Sequence, residues 1–336
     1  MLKFSVLKLT IMQDAPTRQL PRVALSHGDL NGIGYEIMLK TFADARMFEM
    51  LTPVLYGQSK AFSYYKKNFG MEAPNYALTR DVRQAGANKF NIINIVENEL
   101  KIEPGAATDV SMEMSVISVK KAFEDVRNGL ADALVMAPDS PQVARSSQAF
   151  LFSHFKDAEP LRLMVNDLMR IALVTDDMPL EAALAKIDHR LLVSKMTTLS
   201  NALKTDFGLN APKIAVMGLN PHGVAGADDK VLKAVGEAQQ KGIMAFGPFS
   251  SSQLFVNGQW KKYDAVLAMY YDQGVFPLKM MTVGGSAYYW AGLPVVCAAP
   301  MHGPAFDVAN TNTAEPDSYR RAVYLAVDIA NKKGGR

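Results

Sequence analysis

Met269-Tyr-Tyr-Asp-Gln-Gly-Val-Phe-Pro-Leu-Lys279 follows directly on the apolar run Ala265-Val-Leu-Ala268. An unbroken apolar run of this kind, without polar alternation, reads as a strand buried on both faces. Its C-terminal end delivers two phenols, a carboxylate, an amide and a glycine, and the amine of Lys279 follows eight residues after Tyr271. Ligands of open α/β sheets sit beyond the carboxyl ends of strands. The cluster is therefore a site expectation, against the plainer alternative of a solvated turn.

Working outward, the same pattern recurs. Val23-Ala-Leu-Ser-His runs into Gly28-Asp-Leu-Asn-Gly-Ile-Gly34, then a helix from about Tyr35. The glycine spacing is not that of the dinucleotide fingerprint. It still permits a sharp turn that presents amides to an anion at a helix start. Further apolar strands are expected at Pro53–Tyr56, Phe90–Val96, Ala133–Pro138, Leu168–Asp177 (ending in two adjacent carboxylates) and Lys213–Met217. The last strand, Leu293–Pro300, leads into Met301-His-Gly-Pro304. Helical spacing marks 60–68, 112–128, 186–207, 228–242 and 318–331, and 139–155 reads as a long loop or short helix. Strands alternating with helices imply an α/β fold whose mostly parallel sheet is covered on both faces.

Composition sets the outer bounds. The 336 residues are 49% hydrophobic and 21% charged, with a formal net charge of +3. These are globular proportions, and no block of like charge points to nucleic acid or a membrane surface. The one cysteine, Cys297, fits a reducing compartment, so a cytoplasmic location is expected. It reads as a packing residue rather than a nucleophile. Residues 1–20 read as an N-terminal extension: Lys8 interrupts the apolar stretch and no small-residue cleavage site follows.

Taken together, Gly28–Glu36, Asn220-Pro-His222, Met269–Gly274 with Lys279, and Gly292–Val296 with His302-Gly303 resemble one family. It is that of the 4-hydroxythreonine-4-phosphate dehydrogenases of vitamin B6 synthesis. The resemblance implies a two-lobed α/β/α fold like that of isocitrate and isopropylmalate dehydrogenases. Lobe one would take both chain ends (21–138 plus 265–336), and lobe two the middle (139–264). It further implies a homodimer with a shared cleft, and NAD-dependent oxidation and decarboxylation of a small phosphorylated hydroxy acid. Asp272 and Lys279 become the expected catalytic pair. Lys279, Ser140, Tyr288 and His302 become substrate contacts, and Asn220 and His222 cofactor contacts.

The sequence departs from the family where a metal is held by three histidines. Tyr271, Asp177 and Ser147 occupy those positions. Cys297 stands where the family has a substrate-binding arginine, and aromatic residues at 288–290 are expected to narrow the pocket and weaken its preference for anions. Zinc favours nitrogen and sulfur donors, so Mg2+ or Mn2+ on Asp176, Asp177 and Asp272 is the more plausible metal expectation. Two functions stand side by side: an active dehydrogenase with altered metal and substrate sites, or a catalytically inactive paralogue that binds a small ligand or regulates.

Overall fold

The computed structural model describes residues 20–72, 74–98, 100–221 and 228–335. The extension expected at 1–20 therefore lies, except for Leu20, outside the described residues. Twelve strands make one sheet. The first five are β1 (Arg22–Ser26), β2 (Thr52–Gly57), β3 (Tyr76–Leu78), β4 (Phe90–Asn94) and β5 (Ala133–Val135). The middle of the chain gives β6 (Leu161–Val165), β7 (Arg170–Leu173), β8 (Lys213–Met217) and β9 (Met244–Phe249). β10 (Ala265–Ala268), β11 (Ala287–Ala291) and β12 (Cys297–Pro300) complete it. Their spatial order is β3-β4-β2-β1-β5-β12-β11-β6-β7-β10-β8-β9.

The sheet is mostly parallel, as expected. One block runs from β3 to β12 and the other comprises β7, β10, β8 and β9. Between them β12–β11, β11–β6 and β6–β7 are antiparallel. Three reversals set the two blocks running in opposite directions, with a seam through β11 and β6. β10, expected with the chain ends, is hydrogen-bonded between β7 and β8 of the middle segment.

Helices cover both faces. They are α1 (Gly34–Phe42), α2 (Ser59–Asn68), α3 (Asp109–Arg127), α4 (Pro141–Ser153) and α5 (Leu180–Lys186). The remainder are α6 (His189–Thr205), α7 (Asp229–Gln240), α8 (Ser251–Phe255), α9 (Tyr271–Met280) and α10 (Asp317–Lys333). In β1, Val23 and Leu25 enter one apolar cluster while Ala24 enters another. Successive side chains point to opposite faces of a strand, so both faces of this one are covered.

Four strands, β3, β6, β9 and β11, escape the sequence reading, as do the short helices α5 and α8. The 139–155 segment is α4, started by Ser140, whose hydroxyl caps Val143 N at 3.4 Å, with Pro141 in the first turn. A Ser-Pro helix start is a readable signal. The turn expected after β10 is α9, which holds Pro277 in its interior.

Four amides of the glycine turn are engaged within the protein. The N–H groups of Asp29, Gly32 and Ile33 donate to Pro138 O, Asp29 O and Pro304 O, and that of Asn31 to Asp29 Oδ1. A Cβ at Gly34 would meet His27 O at 2.2 Å, and Gly28, at φ +69, would meet Pro138 O at 2.4 Å. The glycines permit this close packing.

Glu36, part of the same motif, is a clamp. Its Oε1 accepts from Lys40 Nζ and from Ala314 N, both at 2.8 Å, tying α1 to the segment ahead of α10. Glu36→Ala would leave the buried Ala314 amide without its acceptor. It should cost about 2–4 kcal/mol in urea unfolding.

Candidate functional site

A cavity of about 300 Å³ lies at the seam. Its wall takes Met136–Asp139 after β5, Ser147 and its neighbours on α4, Arg162 on β6, and Asp177 beyond β7. Tyr271 and Lys279 of α9, Tyr288 and Trp290 of β11, and Ala299–Gly303 around the end of β12 close it. Six residues named from sequence, Ser147, Asp177, Tyr271, Lys279, Tyr288 and His302, are therefore gathered around one space.

The aromatic stretch is a strand, not a bend, and its alternation decides which rings reach the cavity. Tyr288 and Trp290 line it, with ring centroids 6.2 Å apart. Tyr289 points to the opposite face, where its hydroxyl donates to Asp206 Oδ2 at 2.7 Å. Tyr271 and Tyr288 hydroxyls lie 3.5 Å apart. Burial, followed by the Tyr271 contact, pushes the Tyr288 phenol well above its ordinary range, so it stays neutral at physiological pH.

Arg162 is the main residue the sequence reading missed. Its guanidinium stacks over the Tyr288 ring, 4.9 Å from the centroid. Nη2 donates to Gln148 Oε1 at 3.1 Å. Nε lies 2.9 Å from Asp176 Oδ1, an ion-pair contact whose N–H direction falls short of a hydrogen bond. Gln148 Nε2 in turn donates to Asp176 Oδ2 at 3.1 Å. Arg145, also in the wall, sits 3.9 Å from Asp177. With Lys279 the wall carries three cationic side chains beside the carboxyl groups of Asp139 and Asp177. The β6 strand signal, Leu161-Arg-Leu-Met-Val165, would have exposed Arg162 in advance.

Asp139 is the second missed residue. Its carboxylate accepts from Ser115 Oγ at 2.5 Å. Burial pushes its pKa up to about 7, the Ser115 bond opposes the shift, and buried Asp29 adds to it. The sign of its pH effect follows. The unfolded carboxyl loses its proton near 3.8, while the folded one keeps it to about 7. Its stabilising contribution is whole below the lower value and is lost as pH rises through the upper one. Asp139→Asn should match the parent near pH 4 and exceed it by about 1–3 kcal/mol near pH 8. Urea unfolding at the two pH values checks this.

His302 is held by Nδ1, 3.0 Å from the Gly303 carbonyl. A carbonyl only accepts, so Nδ1 carries the proton and Nε2 the lone pair. Burial, opposed by the Gly303 bond and reinforced by nearby Lys279, lowers its pKa and keeps the ring neutral.

Other expected residues fall elsewhere. Asp272 is exposed in the first turn of α9 and is not in the cavity wall. Gln273 is a staple: Met269 N donates to its Oε1 at 2.7 Å, and its Nε2 donates to Gly218 O at 2.8 Å. Ser140 caps α4. Asn220 Nδ2 donates to Asp228 Oδ1 at 3.3 Å, beyond β8, and His222 lies outside the described residues. Cys297 is fully buried, its thiol pushed up to about 12 by burial, and it faces no ligand space. His27 is also buried, its ring pushed down to about 4. His154 packs edge-on against Phe123 and Phe150, and His189 pairs with Glu237 at the surface.

The donor set does not suit a metal. Ser147, Asp177 and Tyr271 offer a hydroxyl, one carboxylate and a phenol, a poor match to zinc. Asp176 is engaged by Arg162 and Gln148, and Asp272 is not in the wall. Among the described residues no group of three His, Cys, Asp or Glu side chains could hold a metal ion.

The chain matches the family model for the pyridoxal phosphate biosynthetic protein PdxA across residues 49–326. It belongs to the PdxA family. The 4-hydroxythreonine-4-phosphate dehydrogenase of Bacteroides thetaiotaomicron is 34% identical over 92% of this chain and 88% of that protein. A Sulfurihydrogenibium protein of the same name is 30% identical over 91% and 97%. Among solved structures, the Klebsiella pneumoniae 4-hydroxythreonine-4-phosphate dehydrogenase superposes with a TM-score of 0.78 at 24% identity, covering 93% of this chain and 98% of that one. A terephthalate 1,2-cis-dihydrodiol dehydrogenase from Burkholderia xenovorans LB400 gives 0.61 at 25% identity, over 92% and 98%. The PdxA fold is thus shared along almost the whole length. Among the described residues, no helix is long and apolar enough to cross a membrane.

Proposed function

We propose that the seam cavity is the substrate site of an NAD-dependent dehydrogenase that oxidises a small hydroxylated acid without a histidine-held metal. The observation that carries this is the convergence of Ser147, Asp177, Tyr271, Lys279, Tyr288 and His302 on one cavity. Lys279 takes the acid group, His302 Nε2 orients the hydroxyl, and Asp139 receives the hydroxyl proton. When bound, NAD accepts the hydride; Asn220 and His222 beyond β8 are its proposed contacts. The chemistry is that named for the relatives, whose substrates are phosphorylated.

A homodimer belongs to the same reading, as do the two lobes divided near 139 and 265 and a cytoplasmic location. Phe276, Met280 and Val283 are 68%, 70% and 80% exposed at i, i+4 and i+7 along and just beyond α9, the helix that carries Lys279. An apolar stripe of that kind supports a protein contact there.

The test is NADH formation from 4-phosphohydroxythreonine, phosphothreonate, phosphoerythronate and unphosphorylated hydroxy acids. A second reading, a ligand-binding paralogue without turnover, is favoured by the missing metal donors. Binding of an acid with no NADH from any of them selects it.

A further inference from the structure

One face of α3 carries three buried serines, Ser111, Ser115 and Ser118, spaced i, i+4 and i+7. That spacing stacks side chains along one side of a helix. Serine is a weak helix former, and a buried hydroxyl costs stability unless it is hydrogen-bonded. Ser118 Oγ donates to Tyr56 O at 2.5 Å, a structural tie to β2. The other two donate to carboxylates: Ser111 Oγ to Asp29 Oδ2 at 3.1 Å, and Ser115 Oγ to Asp139 Oδ1 at 2.5 Å. Asp29 lies beyond β1 and Asp139 beyond β5, and these strands are paired. One helix thus holds acids at the ends of two neighbouring strands.

The two carboxylates differ in what is left free. Asp29 is fully buried, and its Oδ1 accepts from Asn31 N at 2.9 Å. Asp139 is half-buried and lines the cavity. Its Oδ2 has no hydrogen-bond partner among the described residues, yet it is not one of the sealed-off polar atoms, so it keeps exposed surface. Asp139 is gripped at one oxygen and open at the other. Several ionisable groups surround it. Asp29 acts on it from the turn after β1. The segment after β12 brings neutral His302 and Gly303, where a Cβ would lie 3.7 Å from Asp139 O. Arg145, Arg162, Asp177 and Lys279, with the phenols of Tyr271 and Tyr288, share the cavity wall.

We propose that Ser115 is a positioning residue: from α3 it fixes Asp139 Oδ1, leaving Oδ2 open to the cavity as the oxygen that gains and loses the proton. This rests on reading the cavity as a substrate site. There the substrate O–H bond breaks and its proton goes to Oδ2, the carbinol hydrogen leaves as hydride to bound NAD, and the C=O bond forms. A base that ionises near neutral pH suits that transfer. Ser115 favours the ionised carboxylate, while Asp29 opposes it. Removing the two should therefore have opposite signs.

The aspartate carboxyl 13C resonances read this directly, with Asp139→Asn identifying the signal. In the unaltered chain its midpoint should be about 7. Ser115→Ala should raise the midpoint by about one pH unit. Ser115→Thr keeps the hydroxyl and should leave it in place. Asp29→Asn, whose amide oxygen still accepts from Asn31 N, should lower it. Lost packing alone would not move the midpoint in opposite directions. Should Ser115→Ala fail to fold by circular dichroism, Ser115→Cys, close in size and a weaker donor, should raise it in the same way. The acid limb of kcat/KM for NADH formation from 4-phosphohydroxythreonine should follow the carboxyl midpoint in every variant. An unmoved midpoint in Ser115→Ala, or an equal displacement by Ser115→Thr, overturns the inference. NADH formation whose acid limb ignores these substitutions also overturns it and leaves the dehydrogenase reading intact. Midpoints that move as expected, with no NADH from any of the acids, remove that reading and leave Ser115 as the residue that holds Asp139 open to the cavity.

Discussion

Replacing Ser147, Asp177 and Tyr271 together by histidine should create a stoichiometric zinc site where the parent chain has none. All three positions line one cavity, and three imidazoles with one open position form the usual catalytic zinc arrangement. An affinity of about 1 μM or better corresponds to roughly 8 kcal/mol of binding. The opposing effect is local positive charge: Asp177→His releases Arg145, 3.9 Å away. Arg145 is more than half exposed, so solvent and salt screen that repulsion to about 1 kcal/mol. Ligation wins. Each single replacement should bind far more weakly, since one or two imidazoles leave zinc mostly to water. Zinc content after exhaustive dialysis, with circular dichroism to confirm folding, measures the outcome. A folded triple variant without zinc would mean the three positions do not share a centre.

Adding Cys297→Arg to restore the family's arginine should instead prevent folding. Cys297 is wholly buried at the start of β12, in an apolar cluster with Leu134, Trp290 and Leu293. Arginine there would overfill a packed core and bury an unpaired charge, a cost above about 4 kcal/mol. Cys297→Ala and Cys297→Ser should be tolerated within about 1–2 kcal/mol. Soluble yield and urea midpoint separate these cases. A well-folded Cys297→Arg chain would show that β12 can shift enough to bring position 297 to the ligand space. The consequence for the site is direct: no guanidinium reaches the ligand from this strand, and the one in the wall, Arg162, comes from β6.

What was legible in the sequence follows from how strongly each signal is local. The buried strands β1, β2, β5, β8 and β10 are unbroken apolar runs. Gly129 and Gly208, at φ +71 and +73, mark helix ends visible from spacing alone. Ser147, Asp177 and Tyr271 were recognised as one set only through resemblance, because a hydroxyl, a carboxylate and a phenol carry no metal signature of their own. The strands of the seam were missed for a physical reason. Tyr288-Tyr-Trp290 looks like filling because both faces of β11 are aromatic, and Leu161-Arg-Leu-Met-Val165 hides its alternation behind one charged residue. Missing those strands also concealed Arg162. Asp139 was passed over because its character comes from burial and from Ser115 and Asp29, which lie on distant parts of the chain.

The antiparallel seam has a consequence for the order in which the protein comes together. β5 waits for β12, more than 160 residues later, and β6 waits for β11, more than 120 residues later. Until Ala287–Pro300 leaves the ribosome, each half of the sheet shows a bare flank able to pair with another chain. The ligand space comes into being at the same moment, since its aromatic wall is that late strand. A chain truncated before Ala287 should therefore aggregate rather than persist as two independent halves.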